Sequence, residues 1–232
     1  MTGTSATAAR PFDAVIFDFG GVMTEPLFRG RHDIDPEFLG LVAFFLNDFR
    51  DVYHLPTGAH DLHLLETGQL SDDEFFDRMC KRYADAGNEP VDARAAQQVI
   101  FGRGMEACGA MVDAVRQIKG AGYRTALLTN ISRDGEPLWR NLIPVDELFD
   151  VVIDSSREGM RKPDPRIYRL TVERLGVSAD RCLFVDDLAC NVDAAADLGM
   201  TTIQCHDPVV VADEVVQMVL GHHAADEVPA EA

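Results

Sequence analysis

Basic residues are scarce in this chain: 21 Lys and Arg stand against 39 Asp and Glu among 232 residues, a formal charge of −18 at pH 7. That balance argues against nucleic acid and anionic membrane as partners, because both reward clustered cations. Any anionic ligand would need positive charge gathered locally. Cysteine is sparse as well. Cys80, Cys108, Cys182, Cys190 and Cys205 are odd in number and widely spaced, with no C-x-x-C pair. Neither a disulfide framework nor a zinc site is suggested, and a reducing cytoplasm is the expected home. Long hydrophobic runs are missing too: the longest, Phe38 to Leu46, falls far short of the ~20 residues that span a bilayer. The first ten residues, Met1 to Arg10, are small and polar without the apolar stretch of a secretory signal, and are expected to form a disordered leader. From Gly221 the chain turns polar and acidic, so 221–232 is expected to be a flexible tail.

What the chain does have is apolar content, 47%, enough for a substantial core. From Glu106 onward, helical patterns alternate with the short apolar runs Thr125–Thr129, Val151–Asp154, Cys182–Asp186 and Thr201–Gln204. Such alternation predicts an α/β fold with a parallel sheet covered by helices. Met111, Val115 and Ile118 mark one helical stripe before Gly120. Asp164-Pro165 supplies an N-cap and a first-turn proline for a helix through Leu175, closed by Gly176.

The stretch between the first strand and Glu106 differs: it carries helical periodicity and no convincing strand, which predicts an all-helical insertion. Phe38, Leu41, Val42, Phe45, Leu46 and Phe49 lie on one helix face, with Asp35-Pro36 as its start. Ser71-Asp72-Asp73-Glu74 has capping-box form and precedes the apolar stripe Phe75, Phe76, Met79, Cys80 and Tyr83. These aromatics are expected in a core. His60 and His63 stand three apart on a helix, spacing better explained by packing or solvation than by a metal.

The chemistry concentrates in four segments. In Asp13-Ala-Val-Ile-Phe-Asp-Phe-Gly-Gly-Val-Met-Thr24, a buried-strand run of Ala14 to Phe17 delivers a single carboxylate, Asp18, followed by Gly20-Gly21, which lets the backbone turn sharply. Three later segments fit the same site: Leu127-Leu128-Thr129-Asn130, Arg161-Lys162-Pro163-Asp164-Pro165 and Leu183-Phe184-Val185-Asp186-Asp187. Adjacent carboxylates such as Asp186 and Asp187 repel, and a bound cation gives that pairing a reason.

Together the four segments resemble the motifs of the haloacid dehalogenase superfamily, most of whose members are magnesium-dependent phosphatases. The run from Phe184 to Asn191, continuing to Asp197-Leu198-Gly199-Met200, and Lys162 to Tyr168, are similar to the N-terminal phosphatase domain of soluble epoxide hydrolases. The resemblance implies a Rossmann-like three-layer core, residues 11–24 and 105–220, carrying a helical cap, residues 25–104, that covers the site and selects substrate. It implies Asp18 as nucleophile, forming an aspartyl-phosphate, and Lys162 as the cation that offsets charge on nucleophile and phosphoryl group. Thr129 and Asn130 would bind phosphate oxygens. Mg2+ would be held by Asp18, the Gly20 carbonyl and Asp187, with Asp186 close by or acting through water, and Asn191 would brace the metal loop. The expected substrate is a small phosphorylated metabolite.

One position departs from the pattern. Superfamily phosphatases usually carry a second Asp, the general acid and base, two residues after the nucleophile; here that residue is Gly20. Some bacterial sugar-phosphate phosphatases in the superfamily share this glycine. A positioned acid contributes about 10²–10⁴ in rate, so its loss predicts a preference for good leaving groups or recruitment of another acid, such as Glu25 or Asp134. Arg133 and Arg157 follow core strands and could meet substrate charge. Two other readings stay open: a dehalogenase attacking carbon without a metal, and a non-catalytic binding module that has kept the fold.

Overall fold

The computed structural model of the chain describes residues 10–26, 34–55, 58, 60–101 and 104–224. Phe28, Arg29 and all but Arg10 of the expected leader lie outside the described residues. The order of elements is β1 (Ala14–Phe17), α1 (Leu39–Val52), α2 (Asp61–Glu66), α3 (Asp72–Asp85), α4 (Ala93–Ile100), α5 (Gly109–Gly120), β2 (Arg124–Thr129), α6 (Glu136–Arg140), α7 (Val145–Leu148), β3 (Val151–Asp154), α8 (Ser155–Glu158), α9 (Pro165–Leu175), β4 (Cys182–Asp186), α10 (Ala189–Ala196), β5 (Thr201–Gln204) and α11 (Pro208–Ala224). The expected strands are all present, the second starting one residue earlier, at Arg124.

The five strands form one parallel sheet in the order β3-β2-β1-β4-β5. Both faces are covered, which is why β1 reads as an unbroken apolar run. Val15 and Phe17 join the cluster under α5 and α11 with Met111, Val115, Ile118 and Val215. Ala14 and Ile16 face the other way, into a cluster with Ile167, Tyr168, Leu175 and Phe184. The α9 signals act as expected: the Asp164 side chain accepts from the Arg166 N–H, and Gly176 ends the helix with a left-handed φ of 66°. At the chain's ends, Arg10 donates to the Ala121 and Gly122 carbonyls. The last helix continues through Gly221 to Ala224, four residues into the expected flexible tail; 225–232 lie outside the described residues.

The inserted helices build a third cluster of their own: Leu41, Phe45, Tyr53, Leu62, Leu65, Phe75, Phe76, Met79, Cys80, Tyr83, Ala96 and Ile100. The capping box at Ser71 and Glu74 forms in both directions. The first cap helix differs in detail from its expected face. A 3-10 turn at Pro36–Phe38 opens the segment and α1 starts at Leu39; Leu41, Val42 and Phe45 are buried, while Leu46, at the edge of the stripe, is 40% exposed. Two chain passages join cap and core, paired through the antiparallel bridge Thr24–Ala107.

Candidate active site

In an open α/β sheet, ligands bind beyond the carboxyl ends of the strands, where the strand order reverses. The four segments meet there. Asp18 leaves β1 with its N–H on the Val185 carbonyl, Thr129 ends β2, and Asp186 ends β4. Asp18, Asp186 and Asp187 offer carboxylate oxygens that all lie within 4.8 Å of one another. Lys162, wholly buried, bridges two of them: its Nζ is 2.7 Å from Asp18 Oδ1 and 2.6 Å from Asp186 Oδ2. Burial alone would strip its proton, but the two carboxylates outweigh burial and hold the ammonium above its ordinary range.

The two neighbouring aspartates divide their work. Asp186 is fully committed to the protein: Oδ2 accepts from Lys162, and Oδ1 accepts from the Leu188 N–H and from Asn191 Nδ2, each at 2.9 Å. Asn191 is itself fixed, since Tyr168 donates to its carbonyl at 3.0 Å. Asp187 is the more open of the pair, positioned through its carbonyl by Gln204 Nε2 at 3.1 Å. Gly21 makes room for it. At φ 71°, a Cβ on Gly21 would stand 2.7 Å from Asp187 Oδ2. A glycine is therefore required on both conformational and steric grounds.

Three carboxylates with one ammonium leave excess negative charge. Burial pushes the Asp18 carboxyl up to about 8, against the pull of Lys162 and helped by repulsion from Asp186 and Asp187. Burial and Asp186 likewise push Asp187 up to about 7. Such a cluster is relieved by a cation bound between Asp18 and Asp187, and the oxygen donor set suits a hard divalent ion.

Other expected residues are placed differently. The Asn130 amide does not point its polar atoms at open site: Oδ1 accepts from the Lys162 N–H at 2.8 Å, and Nδ2 donates to the Lys162 carbonyl at 2.9 Å and to Tyr53 Oη at 2.7 Å. Its side chain holds the lysine backbone and the Tyr53 hydroxyl. Asp134 accepts from the Asp72 N–H at 2.9 Å, capping α3 from the core, so it is no free acid. Arg133 donates to the Ser156 carbonyl, and Arg157 pairs with Glu136 on an exposed surface. Neither faces the carboxylates. His60 caps α2 by accepting from the Leu62 N–H, and His63 bridges the Gly58 N–H and the Val52 carbonyl, so both are structural. Position 20 is open: a Cβ there would meet nothing within 4 Å.

Periodicity alone assigns Glu66 to no pocket and gives Arg161 no partner, yet these residues join cap to core. Arg161, wholly buried, donates from Nε to Glu66 Oε2 at 2.5 Å and reaches the Tyr53 carbonyl from both terminal nitrogens at 3.3 Å. Its Cζ lies 4.4 Å from the Tyr53 ring centroid. Ser155 Oγ donates to the Glu66 carbonyl at 2.6 Å. A signal for Glu66 did exist, since it falls four residues after Leu62 on the buried side of α2.

A doubly covered parallel sheet with a carboxylate at the end of its first strand, a lysine across from it and an acidic pair at the fourth defines a doubly wound α/β protein with an inserted helical cap. The haloacid dehalogenase-like hydrolase family profile matches residues 12–199, and the chain belongs to that family. Among relatives, it is 30% identical to mouse acyl-CoA dehydrogenase family member 10, over 90% of this chain and 19% of that protein. It is 28% identical to the sesquiterpene phosphatase astK of Aspergillus oryzae, over 90% of this chain and 97% of the relative. With rat bifunctional epoxide hydrolase 2 the identity is 27%, over 82% of this chain and 36% of the relative. The chain thus spans about a fifth of the first of these relatives and about a third of the last. Among solved structures, a family enzyme of Bacteroides thetaiotaomicron in complex with magnesium and inorganic phosphate superposes with a TM-score of 0.59 at 20% identity, covering 83% of this chain and 93% of that one.

Proposed function

We propose that the protein is a magnesium-dependent phosphatase that hydrolyses a small phosphorylated metabolite through an aspartyl-phosphate on Asp18. The observation that carries this reading is the convergence of Asp18, Asp186 and Asp187 within 4.8 Å, with Lys162 spanning the first two. Relatives named as phosphatases support it, and so does a family neighbour solved with magnesium and phosphate. A metal-free dehalogenase has no use for an open Asp187 that Gly21 makes room for.

In this reading Asp18 and Asp187 would hold Mg2+ with the Gly20 carbonyl, and the ion would supply charge neutralisation between nucleophile and phosphoryl oxygens. Asp18 attacks phosphorus, the bond to the leaving oxygen breaks, and Lys162 stabilises charge on the equatorial oxygens. Thr129, buried at the end of β2, offers its hydroxyl to one of them. Asp186 keeps Lys162 charged and in place, and Asn191 orients Asp186. Water then hydrolyses the acyl phosphate. With no acid at position 20, the leaving oxygen departs with little protonation, so good leaving groups are favoured.

We assign residues 25–104 as the cap that excludes water during this sequence. All five cysteines are free thiols, which fits a reducing compartment, and among the described residues no helix is long and apolar enough to cross a membrane. Hydrolysis of p-nitrophenyl phosphate with magnesium or with chelator tests the reading. Turnover is expected to need the metal and to fall by on the order of 10⁴-fold or more in Asp18→Asn. Turnover unaffected by chelator or by that substitution would overturn it.

A further inference from the structure

Arg161 and Lys162 are consecutive, and one cap residue touches the surroundings of both. Tyr53, at the end of α1, is 7% exposed and stacks on Phe49 with centroids 4.3 Å apart. Its carbonyl accepts from the Arg161 guanidinium, and its ring lies under that group. Its hydroxyl accepts from Asn130 Nδ2, the nitrogen that also donates to the Lys162 carbonyl, while Asn130 Oδ1 accepts from the Lys162 N–H. A single side chain of the cap therefore completes the hydrogen bonding of the core amide that clamps the lysine backbone. Beyond Arg161, Glu66 and its contact with Ser155 seat α2 on the core.

We propose that Tyr53 is a cap-borne positioning residue for Lys162: with the cap seated, its hydroxyl fixes the Asn130 amide, and that amide fixes the lysine between Asp18 and Asp186. The kinetic consequence rests on the phosphatase reading; the geometric one does not. Lifting the cap removes Tyr53 from Asn130, so the lysine is fully ordered only when the site is shut. Chemistry and water exclusion are then coupled through one hydroxyl, without any contact between Tyr53 and the reacting atoms. Burial, foremost, keeps the Tyr53 phenol protonated well above its ordinary range, so its hydroxyl stays neutral.

Tyr53→Phe isolates the hydroxyl, because the ring and the backbone carbonyl stay against Arg161. Two readouts are needed: steady-state hydrolysis of p-nitrophenyl phosphate with magnesium, and acylation of Lys162 by a lysine reagent, followed by mass spectrometry. The variant is expected to lower kcat about tenfold, the upper worth of one hydrogen bond, with KM within about twofold, and to raise Lys162 labelling several-fold. Glu66→Gln, which weakens the seat of α2, should raise labelling as well. Arg82→Gln breaks contacts internal to the cap, with Asp48, Asp61 and His60, and should lower Tm while leaving Lys162 labelling unchanged. Wild-type kcat and labelling in Tyr53→Phe would overturn the proposal, as would equal labelling in Arg82→Gln. If the wild-type protein turns over no phosphate ester, the phosphatase reading fails by itself, and labelling still decides the part played by Tyr53.

Discussion

Arg161 and Lys162 share a peptide bond and complete burial, yet they serve different halves of the molecule. Lys162 turns into the core, to Asp18 and Asp186, both at strand ends of one sheet. Arg161 turns outward to the cap, to Glu66 and Tyr53. A cation wholly out of water needs an opposite charge and full hydrogen bonding. The core satisfies that need with two carboxylates at strand ends, whereas the cap satisfies it with Glu66 and the Tyr53 carbonyl and ring. One dipeptide thus ties the reacting centre to its cover, and the difference lies in which part of the chain supplies the counter-charge.

Methionine at each position would test that difference most sharply. Lys162→Met strands two buried carboxylates, and Arg161→Met strands one. Breaking a buried pair costs about 3–5 kcal/mol, so both should lose stability in urea unfolding, with Lys162→Met the worse. Turnover should separate them further. Lys162→Met removes the cation between Asp18 and Asp186, while Arg161→Met keeps it and, on the proposed reading, should retain measurable kcat; equal loss of kcat in the two would erase the distinction.

Position 20 sharpens the core side alone. A side chain there has open space, so Gly20→Asp should fold, and it restores the acid that the family's phosphatases usually carry. Rates on alkyl phosphates, whose leaving groups need a proton, should rise about 10²-fold, the lower end for a positioned acid, with little change for p-nitrophenyl phosphate. A uniform change across leaving groups would show that the new carboxylate acts on the metal site instead.

The smallest effect belongs to a carboxylate remote from both cations. Asp150, between α7 and β3, is raised by burial, but the Thr125 N–H and the Lys119 ammonium more than offset this and hold it below the ordinary value of 3.8. A folded pKa below the unfolded one means stability present above the unfolded value and lost as pH falls through the folded one. Asp150→Asn should therefore be slightly less stable than wild type at pH 7, and thermal melts should show the gap closing in strong acid. A gap independent of pH would place its origin in packing rather than charge.

Much of the core was legible because its information is local. All five strands matched their expected runs, four residue for residue and β2 to within one, since strands of a doubly covered parallel sheet need short apolar stretches. Caps at Ser71 and Asp164 were legible for the same reason: a side chain satisfying an N–H two or three residues on is a short-range event. Leu46 was misjudged because periodicity cannot fix the phase of a helix against a partner it does not name.

Through its resemblance to the family's motifs, the sequence grouped an acid at the end of β1, a lysine before α9 and an acidic pair at the end of β4 into one candidate site. Only the tertiary structure decided that Asn130 holds Lys162 rather than facing open site, that Asp134 caps α3, and that Arg161 finds its counter-charge on Glu66, 95 residues away. Each of those outcomes depends on which buried polar group comes within about 3 Å of another once helices and sheet have packed. Spacing along the chain carries no record of that distance.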